Sequence, residues 1–248
     1  MSANKDDDVS KKEQRWFPLE SNPTLMNDYT EKLGFNTDIY HFVDVFATED
    51  WALSMIPQPV VAVVFLYPLT EAQLKTPDSD GNAPTAVQPD DSNKLWFIKQ
   101  RIGNACGTIG LLHALLNAPE PIRQFKPGSW LQDFQSACPA AMDPVQKAER
   151  LEGDPRIAAL HDRATASEQN CTDRGRLEDR LVTHFVAFVA GRDGQLYELD
   201  GRKAGPVPHG ATTSLLRDAC RVIRQTFMAR DPNELRFTIL ALAPKVED

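Results

Sequence analysis

One stretch of the sequence that is apolar almost all round constrains the fold more than any other feature. It reads CGTIGLLHALLN and runs from Cys106 to Asn117. A helix with no polar face has to be buried on all sides, so this stretch predicts a helix at the centre of the molecule. A second apolar run, VVAVVFLY at Val60–Tyr67, predicts a strand buried on both faces. The two segments together predict a core in which a buried helix lies near a buried strand.

The remaining segments alternate between helical and strand patterns, which predicts a mixed α/β (α+β) fold. Asn22-Pro23 predicts a helix start and Gly34 its end. We expect further strands at Tyr40–Phe46, His184–Ala190, Gln195–Asp200 and Leu235–Leu242. We expect an amphipathic helix at Thr212–Arg230. Short helices are expected within 129–165, with breaks between them at Pro139, Pro144 and Pro155. We found no internal repeat and no linker, so we expect one domain at 15–248 after a flexible tail at 1–14. Long polar loops are expected at 76–93 and about 164–180.

Composition narrows the class of protein. The net charge of −8 argues against a nucleic-acid partner. No apolar run is long enough to span a bilayer, and the N-terminus has no secretory apolar region, so we expect a cytoplasmic protein, with the nucleus as the alternative. The four cysteines form no CxxC pair, so we expect free thiols, no metal site and no organic cofactor.

Cys106 is the cysteine best placed to be reactive. It opens the buried helix, where unpaired N–H groups and the helix dipole stabilise a thiolate. Cys138, Cys171 and Cys220 do not begin a buried helix. The alternative for Cys106, that it is a small buried hydrophobic residue, stays open on position alone.

His184 and Asp200 are candidates for a base and the acid that orients it. If strands 184–190 and 195–200 form a hairpin with a three-residue loop at 191–193, His184 lies opposite Asp200. A four-residue loop would place Gly201 there instead. Gln100, six residues before Cys106, has a side-chain amide that can donate to an oxyanion. Structural roles for all three residues remain open at this point.

Four blocks of sequence resemble the ubiquitin carboxyl-terminal hydrolases, a papain-like family. They are QRIGNACGTIGLLHA at 100–114, LYELDGRKAGPVPHG at 196–210, QRWFPLESNP at 14–23 and RDPNELRF at 230–237. The blocks occur in family order over nearly the whole chain, and they look closest to single-domain members. The resemblance implies a central, mostly antiparallel sheet with helices on both faces, a knotted backbone and a crossover loop at 164–180.

The resemblance also implies roles for individual residues. Cys106 would be the nucleophile, His184 the general base and acid, Asp200 the orienting acid and Gln100 the oxyanion donor. The implied ubiquitin-binding residues are Pro18, Leu19, Glu20, Ser21, Asn22 and Pro23, together with Glu234, Leu235, Arg236 and Phe237. For Leu19 and Leu235 the alternative is a structural role, in helix capping or in the core of the sheet.

The implied reaction is hydrolysis at the C-terminal glycine of ubiquitin through a thioester, releasing small adducts or short peptides. The related modifier NEDD8 is a second substrate to test, and we expect a monomer. Two other functions are open: a ubiquitin-like binding module without turnover, and a papain-like hydrolase with a different substrate. The 76–93 loop and the crossover loop match the family poorly, so no contacts are transferred there.

Overall fold

The fold is built on one six-stranded sheet. The computed structural model describes residues 14–74, 95–170 and 182–246. The strands are β1 (Tyr40–Asp44), β2 (Ala62–Pro68), β3 (Thr183–Ala190), β4 (Gln195–Leu199), β5 (Val207–Ala211) and β6 (Thr238–Pro244). They lie in the order β1-β6-β2-β3-β4-β5, and every neighbouring pair is antiparallel.

Helices cover both faces of this sheet. They are α1 (Pro23–Leu33), α2 (Asp50–Leu53), α3 (Glu71–Leu74), α4 (Cys106–Leu116), α5 (Trp130–Ala137), α6 (Pro144–Glu152), α7 (Pro155–Thr165) and α8 (Leu215–Val222). Strand β2 shows how the two layers form, because Ala62 and Val64 belong to the core that contains α4, whereas Val63 and Phe65 belong to the core that contains α8. The expected mixed α/β architecture, with a central antiparallel sheet between helices, is confirmed.

Helix α4 lies where its composition predicts. Every residue from Cys106 to Leu116 is buried. The helix packs against β3 and β2, the two central strands. A buried central helix fixes the position of its own N-terminus, and this is where Cys106 lies.

Helix α1 begins and ends as the sequence predicts. The Asn22 side chain accepts hydrogen bonds from the backbone N–H groups of Thr24 and Leu25, at 2.9 and 3.3 Å. Pro23 occupies the first turn, and Gly34 ends the helix with a φ of 111°. Asn22 and Pro23 therefore have structural roles whatever else they do.

Several predicted elements differ from the structure. The helix expected at 212–230 is α-helical only at Leu215–Val222, and it continues as a π-helical turn at Ile223–Phe227. The short helices expected within 129–165 are confirmed as three, and Pro144 and Pro155 each begin one, because a first-turn proline loses no hydrogen bond. The last strand is shifted to Thr238–Pro244. The short elements α2, α3 and β5 were not predicted, since four- and five-residue segments carry little periodicity.

Some predictions fall outside the described residues. They concern the tail before residue 14, the loop at 76–93, Cys171 and most of the crossover segment. The knot stays a prediction, because following the chain path requires residues 75–94 and 171–181. Within the described ranges, no helix is long and apolar enough to cross a membrane.

Candidate active site

The turn before α4 brings Cys106 to the N-terminus of a buried helix. Asn104 adopts a φ of 64°, a left-handed conformation that asparagine tolerates better than most residues. The chain can therefore reverse direction just before the helix starts. The Cys106 side chain is only 3% exposed. The first backbone N–H groups of a helix have no intrahelical partner, so they are available near the sulfur.

His184 and Asp200 form a hydrogen-bonded pair. His184 Nε2 lies 2.8 Å from Asp200 Oδ1, and both side chains are buried. The ring of Tyr67, its partner across β2 and β3, packs against the His184 ring at 5.8 Å and 87°. Asp200 also accepts a hydrogen bond from the Arg202 backbone N–H at 2.9 Å. The carboxylate and the imidazole are therefore both held in one orientation.

The hairpin register that led to this pair was wrong by two residues. Ala190 pairs with Leu196 and Ala187 with Leu199, so paired numbers add up to 386 instead of 384. The loop is 192–194, where Gly194 has a φ of 74°. A shift of two residues keeps every side chain on its own face of the sheet. His184 and Asp200 therefore meet diagonally instead of directly across.

Electrostatic interactions favour a thiolate on Cys106. Burial alone would raise the pKa of this thiol. The interaction with His184, including the charge of its ring, outweighs burial, and the backbone of Phe185 and the charge of Arg202 act in the same direction. The net result is a Cys106 pKa below its ordinary value.

The histidine is stabilised in its protonated form by the same contacts. Burial alone would lower the pKa of His184, but the hydrogen bond with Asp200 and the interaction with the Cys106 thiol raise it to about 9. The pKa of Asp200 would be raised by burial, yet the contact with His184 lowers it to about 2. Among the described residues, His184 Nδ1 makes no hydrogen bond of ordinary geometry. Because Asp200 occupies Nε2, the interaction with the thiol involves Nδ1.

Gln100 lies on the other side of the Asn104 turn, and its amide has a defined orientation. One N–H of Nε2 donates to the Ile102 carbonyl at 3.2 Å. Because the Ile102 carbonyl can only accept, the amide atom that faces it has to be Nε2 and not Oε1. The second N–H of Nε2 is then available to donate to another acceptor. The Gln100 backbone N–H donates to the Gly201 carbonyl at 2.9 Å. This bond joins the oxyanion candidate to the turn that carries Asp200.

The first predicted ubiquitin-binding segment contacts the nucleophile's helix. Leu19 is 6% exposed. A Cβ atom added to Gly107 would lie 3.1 Å from Leu19 Cβ, so Leu19 packs directly on the first turn of α4. His161 Nε2 lies 2.7 Å from the Phe17 carbonyl, and Asn170 Oδ1 accepts from the Glu20 backbone N–H at 2.9 Å. The segment 17–20 is therefore anchored beside Cys106.

The second predicted segment is largely on the surface. Leu235 is 86% exposed, which does not fit a place in the core of the sheet. Its neighbours Glu234 and Arg236 form an ion pair of 2.6 Å. Phe237 stacks on Phe65 at 5.9 Å and so supports the sheet. Leu235 is therefore an exposed apolar side chain between two paired charges.

Sequence reasoning missed several residues that shape this site. Tyr67 and Arg202 act on the histidine and the thiol, as described above, and Gly201 allows the close approach to Gln100. A cleft of about 530 Å³ opens beside Gln100 and is lined in part by Asn104, Arg202 and Val182. In the sequence, only the LYELDGRK block points to any of these residues, because Gly201 and Arg202 directly follow Asp200 in it. No group of three potential metal ligands occurs in the described part of the chain.

Comparison with known proteins shows the same family over most of the chain. The family model described as "Ubiquitin carboxyl-terminal hydrolase, family 1" matches residues 16–229. Ubiquitin carboxyl-terminal hydrolase 3 of Arabidopsis thaliana is 41% identical over 239 residues, which is 95% of this chain and 97% of the relative. The human ubiquitin carboxyl-terminal hydrolase isozyme L1 is 38% identical over 229 residues, covering 91% of this chain and 96% of the relative.

A solved structure has the same fold. The catalytic domain of Trichinella spiralis UCH37, bound to ubiquitin vinyl methyl ester, superposes with a TM-score of 0.72 at 21% identity. The match covers 94% of this chain and 97% of the other. Together with the family model and the curated relatives, the fold and the buried cysteine, histidine and aspartate lead to one assignment: the chain belongs to family 1 of the ubiquitin carboxyl-terminal hydrolases.

Proposed function

We propose that this chain is a cysteine hydrolase that cleaves small adducts or short peptides from the C-terminal glycine of ubiquitin, through a thioester on Cys106. The observation that carries the proposal is the pairing of His184 with Asp200 at 2.8 Å beside a thiol whose pKa is lowered by His184. Such a thiolate and imidazolium pair supplies both a nucleophile and a proton donor.

The proposed reaction begins when the Cys106 thiolate attacks the carbonyl carbon of the C-terminal glycine. The carbonyl oxygen becomes an oxyanion, which accepts hydrogen bonds from the Gln100 amide and the Cys106 backbone N–H. His184 then gives its Nδ1 proton to the leaving amine as the C–N bond breaks, which leaves a thioester. Asp200 keeps the ring oriented throughout this transfer.

Water completes the reaction. Neutral His184 takes a proton from a water molecule, which attacks the thioester carbonyl. The second tetrahedral intermediate collapses, the C–S bond breaks, and the modifier leaves with a free carboxyl group, which gives its remaining proton to solvent water. The Cys106 thiolate and the His184 imidazolium are then restored. No step needs a redox partner, since atoms and charges balance with water alone.

The recognition of ubiquitin is proposed for the two segments named above. In support, the Trichinella spiralis UCH37 structures were solved with ubiquitin vinyl methyl ester. Leu19 lies beside the nucleophile, and Leu235 presents an exposed apolar surface. Asn22 and Phe237 already have structural roles, so we expect them to affect ubiquitin binding less than Leu235 does.

The test is cleavage of a fluorogenic ubiquitin C-terminal amide by the wild type and by Cys106→Ala. We expect loss of turnover in Cys106→Ala with ubiquitin binding retained. Cys138→Ala is the matched control, because burial raises the pKa of that thiol and it lies outside the site. Comparable turnover by Cys106→Ala would reject the proposal.

An electrophilic ubiquitin probe separates this function from the alternatives. A binding module would form no adduct at Cys106, whereas the hydrolase forms one that can be mapped by mass spectrometry. The same assay with a NEDD8 substrate tests whether both modifiers are cleaved, which is part of the proposal. Efficient cleavage of other peptides but neither modifier would favour a papain-like hydrolase of different specificity.

We also propose that the enzyme is a monomer and works in the cytoplasm or the nucleus. The described cysteines Cys106, Cys138 and Cys220 are free thiols, which is typical of proteins in a reducing compartment. Size-exclusion chromatography with light scattering tests the monomer, and a tagged chain followed by microscopy tests the location.

A further inference from the structure

The segment that carries Gln100 is buried but belongs to no sheet. Residues 95–98 are all buried, and within the described ranges no strand pairs with this stretch. Buried backbone N–H and C=O groups need hydrogen-bond partners to avoid a large penalty. Here most of the partners are side chains from α4, from the residue that follows it and from α6, so these side chains determine where the segment lies.

Three side chains bind the backbone of successive residues in this segment, in order along the chain toward Gln100. Asn117 pairs with both backbone groups of Trp96, at 2.7 and 2.8 Å. The buried Lys147 ammonium group donates to the Phe97 carbonyl at 3.1 Å. The Ile98 N–H donates to His113 Nε2 at 3.2 Å. Of the side chains that the structure describes, His113 is the last to hold the backbone of this segment before Gln100.

His113 is suited to this role by its chemical state. The side chain is fully buried, and its ring stacks on Phe97 at 5.0 Å and 7°. Because Nε2 accepts the Ile98 N–H, the ring proton has to be on Nδ1. Burial lowers the pKa of His113 to about 4, so the ring is neutral near pH 7. The backbone of Leu199, the residue before Asp200, also interacts with this ring.

The position of His113 along α4 connects it to the nucleophile. His113 lies seven positions after Cys106 in the sequence. Seven residues are close to two helical turns, about 10 Å along the axis, so both side chains project from the same face. One rigid helix therefore carries the nucleophile at its start and the support for the Gln100 segment two turns later.

We propose that His113 is a positioning residue, which holds the Gln100 segment at a fixed distance from Cys106 and so keeps the oxyanion donor in place. It touches neither substrate nor reacting atoms and acts through Gln100. This role rests on the proposed function, because it requires an oxyanion to be formed at Cys106. The buried Ile98 N–H would lose its acceptor in a His113→Leu variant, and the segment would shift.

The test compares His113→Leu with His113→Gln in the wild-type and Gln100→Ala backgrounds. The glutamine Oε1 atom can replace Nε2 as acceptor, whereas leucine cannot accept. With the fluorogenic ubiquitin amide, we expect His113→Leu to lower kcat by about tenfold or more, with KM changed by less than about twofold. We expect His113→Gln to recover most of that loss. In the Gln100→Ala background, His113→Leu should lower kcat by less than about threefold.

Two further variants keep the result interpretable. Val222→Ala in α8, on the opposite face of the sheet, removes buried apolar atoms far from the site and so controls for a loss of stability alone. Its kcat should equal that of the wild type. If His113→Leu does not fold, His113→Asn replaces it, because its shorter side chain cannot place an acceptor at the Nε2 position.

The outcomes separate this inference from the proposed function. An equal loss in both backgrounds, or no recovery by glutamine, would overturn the role of His113 while leaving the hydrolase intact. The absence of turnover by the wild-type enzyme would reject the proposed function, and the role of His113 with it.

Discussion

Replacing Gly201 by alanine should disturb the active site through steric contact alone. An added Cβ would lie 2.9 Å from Gln100 Cβ, 2.9 Å from Ile109 Cγ2 and 3.0 Å from the Gln100 backbone nitrogen. Carbon atoms in contact lie about 3.5 to 4.0 Å apart, so the neighbours have to separate by about 0.6 to 1.1 Å. The Gln100 N–H bond to the Gly201 carbonyl, 2.9 Å long, would lengthen or bend in the process.

A displacement of this size predicts a large kinetic effect. A misplacement of about 1 Å can lower a rate by about 100-fold, and the loss of one oxyanion donor lowers kcat by about 100- to 1,000-fold. We therefore expect kcat of Gly201→Ala to fall by about 100-fold. KM should change less, because the segments proposed to bind ubiquitin lie elsewhere. Overpacking should also lower the free energy of unfolding by about 1 to 3 kcal/mol.

The assay is steady-state cleavage of the fluorogenic ubiquitin amide, with thermal unfolding measured on the same samples. Gly153→Ala at the end of α6 is the matched control, because its added Cβ would lie 3.5 Å from the Glu149 carbonyl oxygen, an ordinary contact. We expect the control to behave as the wild type. A folded Gly201→Ala enzyme with kcat within about threefold of the wild type would refute this account of how Gln100 is positioned.

Three other predictions follow from the charges of the site. The plot of kcat/KM against pH should be bell-shaped: it rises as Cys106, whose pKa is lowered, loses its proton, and it falls near pH 9 as His184 loses its own. A profile that still rises through pH 9 would contradict the imidazolium. Asp200→Asn should lower kcat by on the order of 100-fold and move the alkaline limb of the pH profile to lower pH. The same pH series measures this shift. An unchanged alkaline limb would show that Asp200 does not raise the pKa of His184. Because the pKa of His113 is about 4 in the folded protein and 6.5 in the unfolded chain, stability is lost as pH falls below 6.5, by about 2 to 3 kcal/mol at pH 4.5. Urea unfolding at pH 7 and pH 4.5 should show a smaller loss for His113→Gln, and equal losses would argue against a buried neutral histidine.

The sequence predicts the parts of the fold that depend on local pattern. Helix α4 follows from its unbroken apolar character, and α1 from the Asn22 cap and Gly34. The hairpin of β3 and β4 was recognised from Asp193 and Gly194, yet the register was wrong, because the loop begins one residue later than assumed. The expected pair survived because a shift of two residues preserves the face of a strand.

The parts that could not be predicted depend on contacts between distant residues. The segment 95–100 pairs with no strand among the described residues, and its position depends on His113 in α4, Asn117 just after α4 and Lys147 in α6. The requirement for glycine at 201 comes from the approach of Gln100, which is far away in sequence. Roles at the active site came from the family resemblance, whereas the geometry that supports them came from the structure.

The position of β6 in the sheet has a consequence for biosynthesis. This strand lies between β1 and β2, two strands that are close together in sequence but are not paired with each other. A chain emerging from the ribosome presents β1 and β2 long before Thr238–Pro244 is made. The sheet therefore cannot close until β6 has been made, and until then the edges of β1 and β2 that pair with β6 stay unpaired. Chaperones that cover such edges would help the nascent chain to avoid aggregation.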